Sequence, residues 1–261
     1  MLSRTSEQLR LRAVPLSPPK IQKRWSPRAF TIVELLVTIS IVALLVGLMM
    51  PGFRAARESA NRIQCSSNER QIGIGIYGYA AQNHEQLPQT IFDNVDSTMA
   101  SEMMALTTGG MANSDLSGQW DGLGLLIDET RMFLDDPRVL YCPCHHGAHL
   151  FHECAENLKK SSPLRVYGNY HFIGDTDTAT GQLRILLNQS SEDVIVADGM
   201  RTASDLNHRT GTNTLRGDLS VRFWYDRDFL LRNAVENSST DDPPSEETYR
   251  NLWKLFGRTV H

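Results

Sequence analysis

The chain carries one uninterrupted apolar run at residues 30–51, FTIVELLVTISIVALLVGLMMP, in which Glu34 is the single charged residue. About twenty residues in an α-helix, at about 1.5 Å each, span a bilayer core of about 30 Å. A carboxylate in such a segment costs roughly 2.5–3.5 kcal/mol near the bilayer centre and less near an end. The run therefore predicts a membrane-spanning helix in which Glu34 needs a partner.

Two simpler interpretations of this run each leave something unexplained. The apolar region of a secretory signal peptide is about 7–15 residues long and is followed by a small-residue cleavage site, which is absent directly after this run. A plain signal anchor explains the length of the run but gives no reason for Glu34.

The basic leader, the small residue Ala29 and the following F-T-I-V-E-L-L resemble the class III signal of type IV prepilins and type II secretion pseudopilins. The resemblance implies that a prepilin peptidase cuts between Ala29 and Phe30 and methylates the new N-terminus. Glu34 then becomes the fifth residue, and Pro51 lies where many members carry a helix-bending proline. The new amino group of one subunit would neutralise Glu34 of a neighbour in a low-dielectric environment. The family prefers Gly before the cut, where this chain has Ala29.

Charge is distributed unevenly along the chain. Residues 1–29 contain seven basic side chains and one acidic side chain, whereas the remainder is acidic. Positive charge before the span predicts that the N-terminus is cytoplasmic and that the following domain is extracytoplasmic. The resemblance to prepilins implies a single-pass protein of the bacterial cytoplasmic membrane. The acidic remainder disfavours nucleic-acid binding. The Pro-rich leader has no apolar periodicity and is expected to be disordered until it is cleaved.

A helical pattern continues after residue 51, so Pro51 is expected to kink the helix rather than end it. We expect one long helix from residue 30 to about residue 81, with an assembly segment at 30–51 and an amphipathic continuation at 52–83. Residues at three- and four-residue steps suggest its buried face: Phe53, Ala56, Ala60, Ile63, Ser67, Arg70, Ile74 and Tyr77. The sequence at 73–78 matches G-x-G-x-x-G, but its helical context favours close packing over a dinucleotide site.

The remaining residues, 84–261, are expected to form a globular domain. Segments rich in β-branched and aromatic residues predict strands at 165–173, 193–198 and 219–225, and a short strand or extended segment at 138–141. A short helix is expected at 123–132, a long loop at 93–118 and a closing helix at 249–256. Because the strands follow the helix instead of alternating with helices, the fold class is α+β with an antiparallel sheet, a pilin-like arrangement.

A looser resemblance covers most of the chain after the leader. RIQCSSNERQIG, WDGLGLL and VLYCPC resemble segments of large pseudopilin-like proteins of planctomycete-type bacteria. It implies a disulfide between Cys65 and Cys142 that ties the long helix to the sheet domain. The family's C-terminal His and Asp-Gly correspond to His208 and Asp218, and Leu219 stands where a Gly is expected.

Potential metal ligands are concentrated in thirteen residues: Cys142, Cys144, His145, His146, His149, His152 and Cys154. Short spacings of this kind can close a zinc site, although the pattern matches no standard finger. In an oxidising compartment, disulfide formation is an alternative to metal binding, and a bridge between Cys144 and Cys154 would close a small loop. A third alternative is that the segment forms neither. We commit to no metal ligand and no cofactor.

Other polar residues receive structural interpretations. Asp175 and Asp177 resemble part of a calcium loop, but a full shell needs six to eight oxygens, so a solvated turn is favoured. His208 with Asp205 or Asp218 lacks a nucleophile motif, which favours a structural hydrogen bond.

The leading hypothesis is a non-enzymatic pseudopilin-like subunit of a type II secretion or type IV pilus-like assembly. The alternative is an unprocessed, signal-anchored extracytoplasmic domain that binds metal through the Cys/His segment.

Overall fold

The structure is a computed structural model that describes residues 30–92, 97–109, 118–128, 130, 132–160, 165–177, 181–239 and 242–257. The leader and Ala29, and parts of the 93–118 loop, lie outside the described residues. The chain divides into two compact units, Met1–Met50 and Pro51–His261.

The longest element is α1, Ile32–Gln82, which runs through position 51 without interruption. Its start is fixed by a capping box. Glu34 Oε2 accepts hydrogen bonds from the backbone N and the Oγ1 of Thr31, and Thr31 Oγ1 accepts one from Glu34 N. Such reciprocal bonds satisfy N–H groups that an α-helix leaves free at its first turn. The helix ends where His84 and Glu85 adopt positive φ angles of 55° and 64°.

Within the first unit, residues Ile32–Met50 of α1 form a helix long and apolar enough to cross a membrane, and none of it is buried. In the second unit α1 buries one face, and this face differs from the predicted one. Phe53, Ile63, Ile74 and Tyr77 are exposed. The buried side chains are instead those of Cys65, Asn68, Glu69, Ile72, Ile76, Tyr79 and Ala80. Apolar residues occupy both faces here, so periodicity alone could not decide which face packs.

The glycines of the G-x-G-x-x-G match lie inside α1, as expected from their helical context. A methyl group added at Gly73 would lie 3.0 Å from Leu215 Cδ1, and one added at Gly75 would lie 3.0 Å from Leu134 Cγ. At Gly78 it would lie 3.1 Å from Phe133 Cδ1. These glycines therefore allow close packing of α1 against the domain, which is the interpretation favoured from the sequence.

The main sheet has four strands: β1 Tyr170–Phe172, β4 Val194–Asp198, β5 Gly211–Arg216 and β6 Val221–Tyr225. They are antiparallel and lie in the order β1–β4–β5–β6. A separate two-stranded sheet pairs β2 Thr176–Asp177 with β3 Gln182–Leu183. Together with α1, this arrangement confirms the α+β class.

Shorter helices complete the domain: α2 Phe151–Leu158, α3 Leu230–Val235 and α4 Glu246–Gly257, with 3₁₀ segments at Ser97–Met104, Gly122–Leu126, Pro137–Leu140, Leu186–Asn188 and Ala203–Asp205. The expected extended segment at 138–141 is therefore wrong. Pro137 fits the first helical turn, and the Asp136 side chain caps it by accepting a bond from Arg138 N. Closing helix α4 begins three residues earlier than predicted.

Two hydrophobic clusters pack on the main sheet. The larger one joins the buried face of α1 to Tyr170, Phe172, Ile195, Val196 and Leu215 of the strands. The second joins Val194 and Ala197 of β4 to α3 and α4, with Val235, Tyr249 and Phe256 at its centre. Strand β4 contributes to both clusters, and all five of its side chains are buried.

Leu219 lies in the β5–β6 turn with φ 63°, a left-handed conformation that glycine adopts without cost. This explains why a Gly is expected there. For a leucine the conformation costs roughly 1–2 kcal/mol. Its Cδ2 atom would lie 3.5 Å from a methyl group at Gly73, so the side chain packs over α1. Packing on the helix offsets the backbone cost, and the hairpin between β5 and β6 is retained.

Candidate functional site

The proposed assembly residues lie at the start of α1. Phe30 is exposed, and the Glu34 carboxylate is bonded to Thr31 of its own chain. Capping is a role for Glu34 that the sequence reasoning did not include. It does not remove the cost of a carboxylate in lipid, because the group still carries its charge. Pro51 lies within α1, and Ala29 lies outside the described residues.

Cys65 and Cys142 form a disulfide across a sequence separation of 77 residues. This is the bridge that the resemblance implied, and it fixes the buried face of α1 to the loop after Pro137–Leu140. The second expected bridge is wrong: Cys144 and Cys154 are free thiols. Cys144 is buried, whereas Cys154 is half-buried and its thiol interacts with the Tyr141 hydroxyl.

The Cys/His segment does not converge on one point. Cys142 is oxidised, His146 and His152 are exposed, and the His149 ring lies 4.6 Å from that of Tyr167. His145 Nδ1 contacts Asn207 Oδ1 at 3.0 Å, and burial lowers the pKa of His145. Among the described residues, each group of three or more potential ligands includes residues from outside this segment. The structure therefore disfavours the segment as a self-contained metal site.

A buried polar network lies instead between α1 and the ends of β4 and β5. At its centre, Asp198 Oδ2 accepts bonds from Asn213 N at 2.6 Å and Asn213 Nδ2 at 3.2 Å. Asn207 Nδ2 lies 3.4 Å from Asp198 Oδ1 and donates to Asn169 O at 2.9 Å. Burial raises the pKa of Asp198, while neighbouring His208 opposes that change.

His208 is the residue through which this network reaches α1. Its Nδ1 atom lies 3.1 Å from Glu58 Oε1, and its Nε2 atom lies 3.2 Å from Asn213 Nδ2 and 3.7 Å from Asp198 Oδ2. His208 has side-chain hydrogen-bond contacts, as expected, but its partners are not the expected ones. Asp205 accepts bonds from Thr202, and Asp218 accepts one from Ser220 N.

Two groups of residues in the described part of the chain bring three or more potential ligands within 4.8 Å of one another. One contains Cys65, Cys142, Asp198 and His208, but its sulfurs are joined in the disulfide and offer no thiolate. The other contains Glu58, Cys144 and His208. Sequence reasoning missed Glu58. Glu58 lies seven residues before Cys65 on the same helix face. This spacing was the feature of the sequence that could have placed Glu58 near the disulfide.

Two further carboxyls are unusually buried. Glu69 is fully buried, and neither of its oxygens has a hydrogen-bond partner among the described residues. Burial, followed by the charge of Asp198, holds the pKa of Glu69 well above the usual range. Asp175 is also buried, which raises its pKa, and Thr176–Asp177 forms β2. The expected solvated turn at 175–177 is therefore wrong.

Comparison with known families gives a match over part of the chain. Residues 54–126 match the model of a family described as a protein of unknown function (DUF1559). The match begins within α1 and ends at Leu126, which is less than half of the chain. Searches of curated proteins and of solved structures gave no significant match. The match does not include the N-terminal cleavage signal.

Proposed function

We propose that the chain is a non-enzymatic, pseudopilin-like structural subunit of a type II secretion or type IV pilus-like assembly. A prepilin peptidase would cut between Ala29 and Phe30 and methylate Phe30. The protein would then lie in the cytoplasmic membrane with its N-terminus inside and residues 52–261 extracytoplasmic. Its partners would be the peptidase, the membrane and other subunits of the same kind.

The observation that carries this proposal is the contrast between an apolar, unburied first half of α1 and a second half that packs into the domain. Residues Ile32–Met50 are apolar and unburied, whereas the continuation of α1 packs into an α+β domain. Phe53, Ile63, Ile74 and Tyr77 add exposed apolar surface beyond the span. The described residues leave this surface exposed, which favours its burial in lipid or against other helices.

Glu34 supplies the specific part of the mechanism. In a low-dielectric environment its charge is costly unless a cation lies nearby. Cleavage before Phe30 would create an α-amino cation four residues from Glu34. A neighbouring subunit displaced along the assembly axis could place that cation against Glu34, so that assembly is favoured at one axial register.

The test separates the charge of Glu34 from its capping role. Glu34→Ala removes both, Glu34→Gln retains the capping geometry but not the charge, and Thr31→Ala weakens the cap but keeps the charge. We expect all three proteins to be found in the membrane fraction. Only Thr31→Ala should appear in the sheared fibre fraction at a near wild-type level.

Normal fibres from Glu34→Gln would contradict the charge-pairing mechanism, as would equal loss of fibres in Thr31→Ala. Processing is tested separately by N-terminal sequencing and mass spectrometry of the membrane-bound protein. A mature N-terminus at Phe30, carrying one methyl group, supports the proposal. An intact leader contradicts it and favours the unprocessed, signal-anchored alternative.

A further inference from the structure

Glu58, Cys144 and His208 come from three distant parts of the chain. Glu58 lies on α1, Cys144 lies in the loop two residues after the disulfide, and His208 lies in the loop before β5. Their ligand atoms all lie within 4.8 Å of one another, and His208 Nδ1 is 3.1 Å from Glu58 Oε1. Ligands on a tetrahedral zinc ion with bonds of about 2.0–2.3 Å are separated by roughly 3.3–3.8 Å. Small side-chain adjustments would therefore let the three atoms share one ion.

The residues behind His208 match those that support metal-binding histidines. Metal binding at Nδ1 places the ring proton on Nε2, and Asp198 Oδ2 lies 3.7 Å from that atom. Carboxylates frequently accept this second ring proton and fix the ring orientation. Asn213 Nδ2 also lies beside Nε2 and donates to Asp198 Oδ2, which holds the carboxylate in place. Asp198 is thus a positioning residue for His208.

The charge balance of the region favours a cation. Asp198 and Glu69 are both fully buried, and Glu69 has no hydrogen-bond partner among the described residues. A buried dication would offset the charge of these carboxyl groups when they are ionised, and it would favour loss of the Cys144 thiol proton to solvent, which supplies a thiolate ligand.

The donor set determines the metal class, and the exposure of Glu58 determines access. A thiolate, an imidazole and a carboxylate together favour Zn²⁺ over the oxygen-preferring Ca²⁺ and Mg²⁺. Cys144 and His208 are about 95% buried, whereas the Glu58 side chain is 36% exposed. Solvent can therefore reach the site from the Glu58 side and occupy a fourth position.

We propose that Glu58, Cys144 and His208 form a zinc site with one position open to water. Asp198 orients His208 from behind. The ion would connect α1 to the loop at 142–149 and to the start of β5, next to the disulfide. This site differs from the Cys/His segment considered from the sequence, because only Cys144 belongs to both.

The two free cysteines provide a matched test. The full-length protein is purified in detergent without chelators or reductants, stripped of metal and titrated with Zn²⁺ against a chromogenic chelator. We expect one equivalent per chain. Substituting Co²⁺ should give thiolate-to-metal charge-transfer absorption. Cys144→Ser should abolish that absorption and weaken zinc binding by at least about 100-fold, whereas Cys154→Ser should leave both unchanged.

Two more variants separate ligand loss from misfolding. Glu58→Gln changes a partly exposed residue and should weaken binding, whereas Glu153→Gln on α2 should not. Asp198→Asn should weaken binding by about 10–100-fold without removing the cobalt–thiolate absorption. The proposal is overturned if the wild-type protein binds less than one equivalent of zinc, if Cys154→Ser reduces binding as much as Cys144→Ser, or if Glu58→Gln binds normally.

Discussion

The two halves of α1 have the same backbone conformation but depend on different interactions. Residues Ile32–Met50 bury none of their side chains, whereas the half after position 51 buries Cys65, Ile72, Ile76 and Tyr79. A helix satisfies its own backbone hydrogen bonds, which is sufficient in lipid. In water most helix stability comes from packing of one face. The two halves of α1 are therefore stabilised differently, and only the half after position 51 depends on packing against its own domain.

Polar side chains show the same contrast. In the first half, Thr38 Oγ1 and Ser40 Oγ donate to the carbonyls of Leu35 and Leu36 within the helix. Such local bonds let hydroxyl groups remain in an apolar environment. In the second half the bonds are long-range: Asn68 donates to Tyr141 O, and Glu58 contacts His208. The difference predicts that changes in the domain affect the second half alone.

Removing the disulfide should have the largest effect on this comparison. Cys65→Ala with Cys142→Ala releases a loop of 77 residues, and loss of such a bridge costs about 2–5 kcal/mol. We expect the free energy of unfolding of the domain, measured by urea titration and Trp fluorescence, to fall by that amount. Membrane insertion should be unchanged.

Cys154→Ala is the control for this measurement, because it removes a cysteine without removing a bridge. It should leave the urea midpoint close to that of the wild-type protein. If the double variant unfolds at the wild-type urea concentration, packing alone holds α1 to the domain. If membrane insertion is also lost, the two halves are not independent.

The pH dependence of the domain provides the next test. His171 donates from Nε2 to Ala100 O and stacks on Tyr249, and burial lowers its pKa from 6.5 to about 4. Between these values the unfolded chain binds a proton that the folded chain does not. Stability is therefore complete above pH 6.5 and decreases as the pH falls toward 4, by about 3 kcal/mol. His171→Phe should lack this loss in urea titrations at pH 7, 5.5 and 4.

Asp121 provides a control of opposite sign. Burial raises its pKa from 3.8 to about 6, so the folded state binds the extra proton and this contribution weakens as the pH rises from 3.8 to 6. Asp121→Asn should therefore differ from the wild-type protein in the direction opposite to His171→Phe. A His171→Phe protein that follows the wild-type pH profile would show that His171 does not control acid sensitivity.

Local patterns explain what the sequence predicted well. The length of α1 and strand β4 follow from uninterrupted helical or β-branched runs, and the observed bounds lie within two residues of the predicted ones. The buried face of α1 was wrong because apolar residues occur on both faces, and the sheet decides which face is covered. The Cys144–Cys154 bridge was wrong because Cys144 turns toward Glu58, which is 86 positions earlier in the chain.

The candidate zinc site could not be predicted from the sequence either, because its residues are far apart in the chain. Glu58 and His208 are 150 residues apart, and no local pattern connects them. The Cys65–Cys142 disulfide could be predicted because a family resemblance supplied the pairing. Long-range polar contacts depend on how α1 finally packs against β4 and β5. The helical and strand periodicities of the sequence do not predict that packing.

Two glycines on α1 give the smallest expected effect and compare the halves directly. A side chain at Gly75 would meet Leu134 Cγ at 3.0 Å and Leu126 Cδ1 at 3.4 Å, whereas one at Gly47 would have nothing within 4 Å. Gly75→Leu should lower the free energy of unfolding of the domain by about 1–3 kcal/mol through overpacking. Gly47→Leu should leave the urea transition of the domain unchanged, because no side chain of Ile32–Met50 is buried against the described residues. Equal destabilisation by both substitutions would contradict the division of α1 into an externally and an internally stabilised half.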